Sequence, residues 1–208
     1  EKINEKKAPY LNKLQNINGT WNIDTNEGLL KSNILINAGG AWCDEIAKYT
    51  GVKKIGLTPK KRTVFGFVPD NKLDLSNYWP LCVDIEENFY FKIENETVLA
   101  SPADESITIP HDAQPDEIDI AVGADRIKNA TNFNFNTIKN KWAGLRSFVY
   151  DKNPVIGFDP IIKNFFWYGA LGGYGIQISP ALAKIASNII LKKNNDFYTK
   201  KFNINLEL

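Results

Sequence analysis

The chain has 208 residues, 43% of them hydrophobic, and a formal net charge of +1, which is material for one large domain or two small ones without the basic excess that marks a nucleic-acid surface. Its two cysteines, Cys43 and Cys82, make no disulfide framework and suit a reducing, cytoplasmic compartment. No apolar run approaches the ~20 residues that cross a bilayer, and the N-terminal EKINEKKAPY holds no signal-peptide core.

Strands are predicted at 20–25 (TWNIDT) and 29–37 (LLKSNILIN), joined by the turn NEG, and the apolar end of the second suits a buried position of parallel type. Ala-Gly-Gly-Ala then opens a short helix over Ala41–Tyr49, stopped by Thr50-Gly51. Strand, small residues and helix N-terminus in that order are how nucleotide-binding turns are built, yet no G-x-G-x-x-G occurs in the chain. From Leu57 the period changes to two, and KKRTVFGFV, LCVDI, NFYFKI and TVLAS read as antiparallel strands between Pro, Asn and Asp turns. A helix is predicted over 112–132, with Pro115 in its first turn and Ile118, Ala121, Val122, Asp125 and Ile127 tracing one face. The strands NKWAGLRSFVY, PVIGF and FFWYGAL follow. The turn Gly172-Gly173-Tyr174-Gly175 then leads into the helix GIQISPALAKIASNIILKK, whose Pro180 is tolerable in a first turn.

The order is strand–turn–helix, an antiparallel sheet with one helix, then strand–turn–helix again. It reads as an α/β (α+β) chain in which 1–56 and 149–208 are parts of one nucleotide-binding type of domain and 57–148 is an inserted β-rich domain. The chain begins at Glu1, has no methionine and ends in the alternating run KFNINLEL. It is therefore expected to be a piece of a longer protein, with any fingerprint upstream.

Only three of the 25 basic residues are arginine, Arg62, Arg126 and Arg146, and arginine is expected where lysine cannot supply a planar fork. Arg62 (PKKRTVFGF) and Arg146 (WAGLRSFVY) lie mid-strand among apolar neighbours, where an unpartnered guanidinium is costly. Converging, they would fork a carboxylate; each taken singly fits better as a sheet-edge arginine with its stem on the surface. Arg126 reads as a solvated or salt-bridged surface residue. Tyr90 alternates with Phe89 and Phe91 and faces the other side of its strand, addressing a ligand or ending in water. His111, the only histidine, reads as a loop or capping residue. The Gly172–Gly175 turn suits a flat ligand such as a flavin or a tight structural turn equally. One histidine, two distant cysteines and no dense acidic cluster make neither a zinc site nor a Cys–His dyad, which leaves the chemistry to a cofactor.

Several motifs in order resemble one family. NAGGAWCDEIA resembles a segment of the FAD-dependent D-amino acid oxidase (DAO) superfamily, and KWAGLRSF…NPVIGFDP…FFWYGALGGYGIQISPALA looks like its C-terminal segment. The middle, KKRTVFGF…WPLCVDIEENFYFK…SPADES…HDAQPDEIDIA, is similar to bacterial D-arginine dehydrogenase-like proteins. The resemblance covers roughly residues 20–195. It implies the C-terminal portion of a split Rossmann-like FAD-binding domain carrying an inserted antiparallel substrate domain.

What the resemblance implies for the residues is specific. Gly39, Gly40, Ala41 and Trp42 would lie by the FAD, and Gly172, Gly173, Tyr174, Gly175, Ile176 and Gln177 would wrap the flavin. Arg62 and Arg146 would clamp the substrate α-carboxylate with Tyr90 beside it, and the Gly173 carbonyl would stand near the substrate amine. The FAD would be non-covalent, since KWAGLRSF carries no cysteine for a covalent link. No catalytic side chain is implied, because the flavin carries the chemistry. The reaction implied is hydride transfer from the α-carbon of a D-amino acid to flavin N5, giving an imino acid that water hydrolyses to a 2-oxo acid and ammonia. The implied partners are a small amino-acid or amine substrate and an acceptor, oxygen or a quinone of a membrane chain, in the cytoplasm or at the inner-membrane periphery. A glycine/sarcosine-type amine oxidase is the runner-up, and a flavin-free carboxylate-binding module is the reading from another class. Leu171 departs from D-arginine dehydrogenase relatives, which often have Gln there, and the residues that would read the side chain lie upstream. Without the fingerprint helix, this chain alone is expected to bind FAD poorly.

Overall fold

The computed structural model describes residues 11–70, 79–94 and 97–202; the N-terminal segment before Leu11 and the end of the alternating run after Phe202 lie outside them. The chain divides into two compact units, one formed by Glu1–Leu57 with Ser147–Leu208 and the other by Thr58–Arg146.

In the first unit, β1 (Leu11–Ile17), β2 (Thr20–Thr25) and β3 (Gly28–Ser32) form an antiparallel meander; β1 is not among the predicted strands. The strand predicted over 29–37 is two strands in two sheets. The Ser32 hydroxyl donates to Ile34 O at 2.7 Å and accepts from Ile34 N at 3.3 Å, bonds a local turn can use instead of a ladder. Beyond that turn, β4 (Leu35–Asn37) pairs in parallel with β11 (Phe165–Gly169), and β10 (Val155–Phe158) pairs antiparallel with the other edge of β11. Asn164 ties the two sheets together. Its carbonyl accepts from Trp21 Nε1 (2.9 Å) and Leu35 N (3.0 Å), and its amide donates to Gly19 O and Asn33 O. Trp21, Phe165 and Trp167 are buried together in this core.

Helix α1 (Cys43–Thr50) follows a 3-10 turn over 40–42 and stops at Gly51, whose φ of +73° suits glycine. The carboxylate of Asp44 accepts from three consecutive amides, Ile55 N at 3.0 Å, Gly56 N at 3.1 Å and Leu57 N at 2.8 Å. A buried aspartate of α1 thus holds the segment that leaves this unit. Two further helices complete the unit, α3 (Gly175–Ile190) and α4 (Asp196–Phe202), the latter not predicted. Pro180 lies inside α3, beyond its first turn. It cannot donate to Ile176 O, and that carbonyl instead accepts from Ser179 Oγ at 2.9 Å.

The second unit is a sheet of order β6 (Cys82–Val83), β7 (Tyr90–Glu94), β8 (Thr97–Ser101), β5 (Thr58–Phe67) and β9 (Asn140–Phe148). The first four strands pair antiparallel, with Phe91, Ala100 and Phe65 in one cross-strand row and Ile93, Val98 and Phe67 in the next. Helix α2 (Glu117–Ala130) packs on this apolar face through Ile120 and Ile127. Asp116 is its N-cap, with Oδ1 accepting from Ile118 N at 2.9 Å, so Pro115 precedes the helix rather than lying in its first turn. The buried stripe is also not the predicted one. Ile118 and Val122 are exposed, whereas Gly123 marks the closest approach: a Cβ there would stand 2.8 Å from the Phe65 ring. Arg126, expected at the surface, spans two loops instead, donating through Nη1 to Asn88 O (2.6 Å) and Pro102 O (3.1 Å).

Two substitutions test this packing by chemical denaturation of the full-length protein. Asp44→Ala leaves three amides without their charged acceptor and is expected to cost about 2–3 kcal/mol. Gly123→Ala forces α2 off β5 and is expected to cost about 1–3 kcal/mol. A change within about 0.5 kcal/mol, as for an ordinary surface site, would refute either assignment.

Candidate functional site

Strand alternation sorts the side chains of the second unit onto two faces. Lys61 pairs with Asp119 of α2 at 2.8 Å and Lys141 pairs with Glu117 of α2, so odd-numbered residues of β5 and β9 face the helix. Even-numbered residues, Lys60 and Arg62 on β5 and Trp142, Gly144 and Arg146 on β9, project from the opposite face. Tyr90 lies on that same face, because its neighbour Phe91 is buried under α2. The sheet therefore brings Arg62, Arg146 and Tyr90 together.

The two guanidiniums meet on one oxygen. Arg146 Nη2 is 2.7 Å and Arg62 Nη2 3.3 Å from Glu105 Oε1, while Lys60 Nζ is 3.0 Å from Oε2. Arg62 also donates through Nε to Asp104 O at 2.9 Å, and its guanidinium stands 5.6 Å from the centre of the Tyr90 ring. Both arginine side chains are mostly covered, 16% and 20% exposed, whereas that of Glu105 is 47% exposed. The Arg146 hydrogen bond, helped by Lys60 against the effect of burial, holds the Glu105 carboxyl down at about 2, so it is ionised at neutral pH. Glu105 is the partner of the two arginines that sequence reasoning missed. Its only signal was an acid in the turn SPADES, and nothing local says which strands that turn meets.

The loop carrying Glu105 is anchored on both sides. The Asp104 carboxylate accepts from Thr63 N at 2.7 Å and Thr63 Oγ1 at 3.2 Å, and Lys61 N donates to Ser106 O at 2.9 Å. His111 is exposed in the loop beyond, its Nδ1 2.7 Å from Ile109 O.

In the first unit, β4 and β11 run parallel side by side, so the turns that follow them leave at the same edge of the sheet. The carboxyl end of parallel strands is where open α/β sheets bind ligands. Asn37, buried at the end of β4, shapes the first turn by donating to Cys43 O (2.9 Å) and accepting from Gly39 N (3.3 Å). At Gly39 a Cβ would stand too close to Ile46 Cδ1, so a larger residue there would make the tip of that side chain move. Gly40 has φ +57° with open space where a side chain would stand, Ala41 is buried and Trp42 is 45% exposed. In the second turn Gly172 has φ +58°, donates to Ser147 O at 2.9 Å and would press a Cβ against Phe148. Gly173, Tyr174, Ile176 and Gln177 are exposed, Ile176 at 94%, and Gly175 opens α3.

These turns suit a flavin. No side chain caps the N-terminus of α3, so its first amides are available to an electron-rich ring edge. The Ser147 hydroxyl, beside the second turn, is buried without a hydrogen-bond partner among the described residues. The Cys43 thiol is no candidate nucleophile: burial pushes it up to about 11. Among the described residues, no group of three or more His, Cys, Asp or Glu is placed to hold a metal, and no helix is long and apolar enough to cross a membrane.

Comparison with known proteins joins the two sets of residues to one lineage. The chain is 28% identical over 183 residues to FAD-dependent oxidoreductase domain-containing protein 1 of Xenopus laevis, covering 78% of this chain and 35% of that protein. It is 25% identical over 203 residues to mitochondrial dimethylglycine dehydrogenase of Mus musculus, covering 88% and 23%. It therefore spans about a third or less of the curated relatives it matches. Among solved structures, L-proline dehydrogenase from P.horikoshii superposes with a TM-score of 0.75 at 19% identity, covering 94% of this chain and 54% of that one, which shows a shared fold. The profile of the DAO family, described as FAD dependent oxidoreductase, matches residues 10–189. With parallel strands ending in two bare glycine turns and an inserted sheet bearing paired arginines, the chain belongs to the FAD-dependent oxidoreductases of the DAO family.

Proposed function

We propose that this chain is the C-terminal portion of an enzyme that oxidises the Cα–N bond of a small D-amino acid, with non-covalent FAD. The observation that carries the reading is the convergence of Arg62 and Arg146 on a single carboxylate oxygen. A sheet face that already holds a carboxylate between two forks has the chemistry to hold that of an amino acid.

Each residue has a stated task. Arg62 and Arg146 bind and orient the α-carboxylate, and Tyr90, whose ring already lies beside the Arg62 guanidinium, covers one side of it. Fixing the carboxylate restricts the adjacent Cα–H to one direction, which is how a clamp remote from the broken bond contributes to rate. In the other unit, Gly39, Gly40, Ala41 and Trp42 with Gly172 to Gln177 would hold the FAD, the α3 amides facing its electron-rich edge. When bound, FAD supplies the two-electron acceptor for the α-hydrogen and its bonding electrons. The oxidised substrate is an imine, which water hydrolyses to the 2-oxo acid and ammonia.

A second reading has its own support. The similarity to mouse dimethylglycine dehydrogenase and to P.horikoshii L-proline dehydrogenase favours a glycine- or sarcosine-type substrate with an N-alkylated amine. The carboxylate clamp serves both readings equally, so the amine distinguishes them.

Full-length protein, purified with its flavin, is expected to bleach anaerobically with D-amino acids; bleaching only with N-methyl or cyclic amino acids would establish the second reading. Arg146→Lys keeps the charge and loses the fork. It is expected to raise KM about 10- to 100-fold, as the loss of a charge-assisted hydrogen bond predicts, while the flavin spectrum stays intact. Unchanged KM in that variant would remove Arg146 from the clamp.

A further inference from the structure

The carboxylate clamp is not left open by the fold: a residue of this chain sits in it. Glu105 Oε1 is the atom that both Nη2 groups address, the bridging position a substrate carboxylate would take. We infer that Glu105 is a built-in stand-in for the substrate carboxylate, and that binding is an exchange in which the ligand displaces the Glu105 side chain from between Arg62 and Arg146. The inference rests on the clamp reading above.

Three features make exchange the reading the geometry favours. First, only the side chain has to move. Asp104 fastens the loop to Thr63 by two hydrogen bonds, and Ser106 O is held by Lys61 N, so the backbone on either side of Glu105 is pinned. The Glu105 side chain itself is 47% exposed and has water to swing into. Second, the arginines have supports besides Glu105. Arg62 is independently held by its Nε bond to Asp104 O and by the Tyr90 ring, and the Arg146 side chain is four-fifths covered. Removing the carboxylate therefore removes a competitor more than it disorganises the fork. Third, the face is over-supplied with positive charge. Lys60, Arg62 and Arg146 surround one glutamate, so an anionic ligand remains attracted while Glu105 is still ionised.

A vacant pair of converging guanidiniums in a mostly covered setting is unfavourable, because like charges repel with little water to screen them. A resident carboxylate relieves that cost before substrate arrives. The same resident then competes with the substrate, so affinity is lower than the fork alone would give. Short monoanionic ligands are affected most, because they have little else with which to offset the exchange.

The test uses full-length protein with its flavin and benzoate, a monocarboxylate with no α-hydrogen to lose, titrated by calorimetry. Glu105→Gln keeps the shape and removes the competing charge. It is expected to lower the benzoate Kd about three- to fivefold, the range carried by a half-exposed ion pair. Arg146→Lys, as the control, is expected to raise it about tenfold or more. A Gln variant that binds benzoate equally or more weakly, while Arg146→Lys still weakens binding, overturns the exchange and leaves the clamp standing. If Arg146→Lys has no effect, the clamp and the exchange fall together. A crystal structure of the wild-type protein with benzoate decides the matter even should the variant misfold. Exchange predicts the benzoate carboxylate between the arginines and Glu105 turned to solvent, whereas Glu105 still bridging both Nη2 groups refutes it.

Discussion

The parallel pairing of β4 with β11 is the constraint from which the rest of this chain follows. Three residue pairs, from Leu35 with Phe165 to Asn37 with Trp167, join segments that lie far apart in sequence. Parallel neighbours cannot be joined by a hairpin; a long connection has to leave one end of the sheet and return to the other. Here that connection includes the whole of the second unit, which lies in sequence between the two segments of the first. The same pairing makes both glycine turns leave one sheet edge. It also sets Gly169 against α1, where a Cβ would stand 3.0 Å from Cys43 Sγ. Asn164 and Trp21 then fasten the β1–β3 meander to this pair.

The second unit solves a different problem. One face of its sheet is apolar and covered by α2, with phenylalanine rings from β5, β7 and the loop after α2 filling the space, Phe67 and Phe135 stacked at 3.6 Å. The other face carries cations that the sheet partly covers. Charge in such a place needs a partner, and a turn from between β8 and α2 brings one to Lys60, Arg62 and Arg146. That partner is a single carboxylate oxygen, which both guanidiniums address.

Much of the architecture was legible in local pattern. The period-two runs gave four antiparallel strands, the Gly51 stop and the two glycine turns lay where small residues predicted, and two of three arginines fell on one face. Where local reading failed, the reasons are particular. Residues 29–37 looked like one apolar strand because hydrophobicity cannot register Ser32 bonding to Ile34 and redirecting the chain. The α2 face was misjudged because its closest contact is a glycine, which adds nothing to an apolar count. Pro180 is tolerated beyond the first turn of α3 because Ser179 donates to the carbonyl that proline leaves without its amide. Arg126 looked like a surface residue because the carbonyls of Asn88 and Pro102 that receive it lie in loops distant in sequence.

Residue type and spacing alone thus settled most of the strands and helices, β1, α4 and the break after Ser32 excepted, where backbone had to be bare, and that Arg62 and Arg146 were unusual. Each of those is a property of a few neighbouring residues. Which strands pair, which helix face is buried, and which anion answers the two arginines were left to the folded chain. Glu105 is 43 residues after Arg62 and 41 before Arg146, and no short-range rule couples them. Only the order of strands in the sheet brings one carboxylate between two guanidiniums.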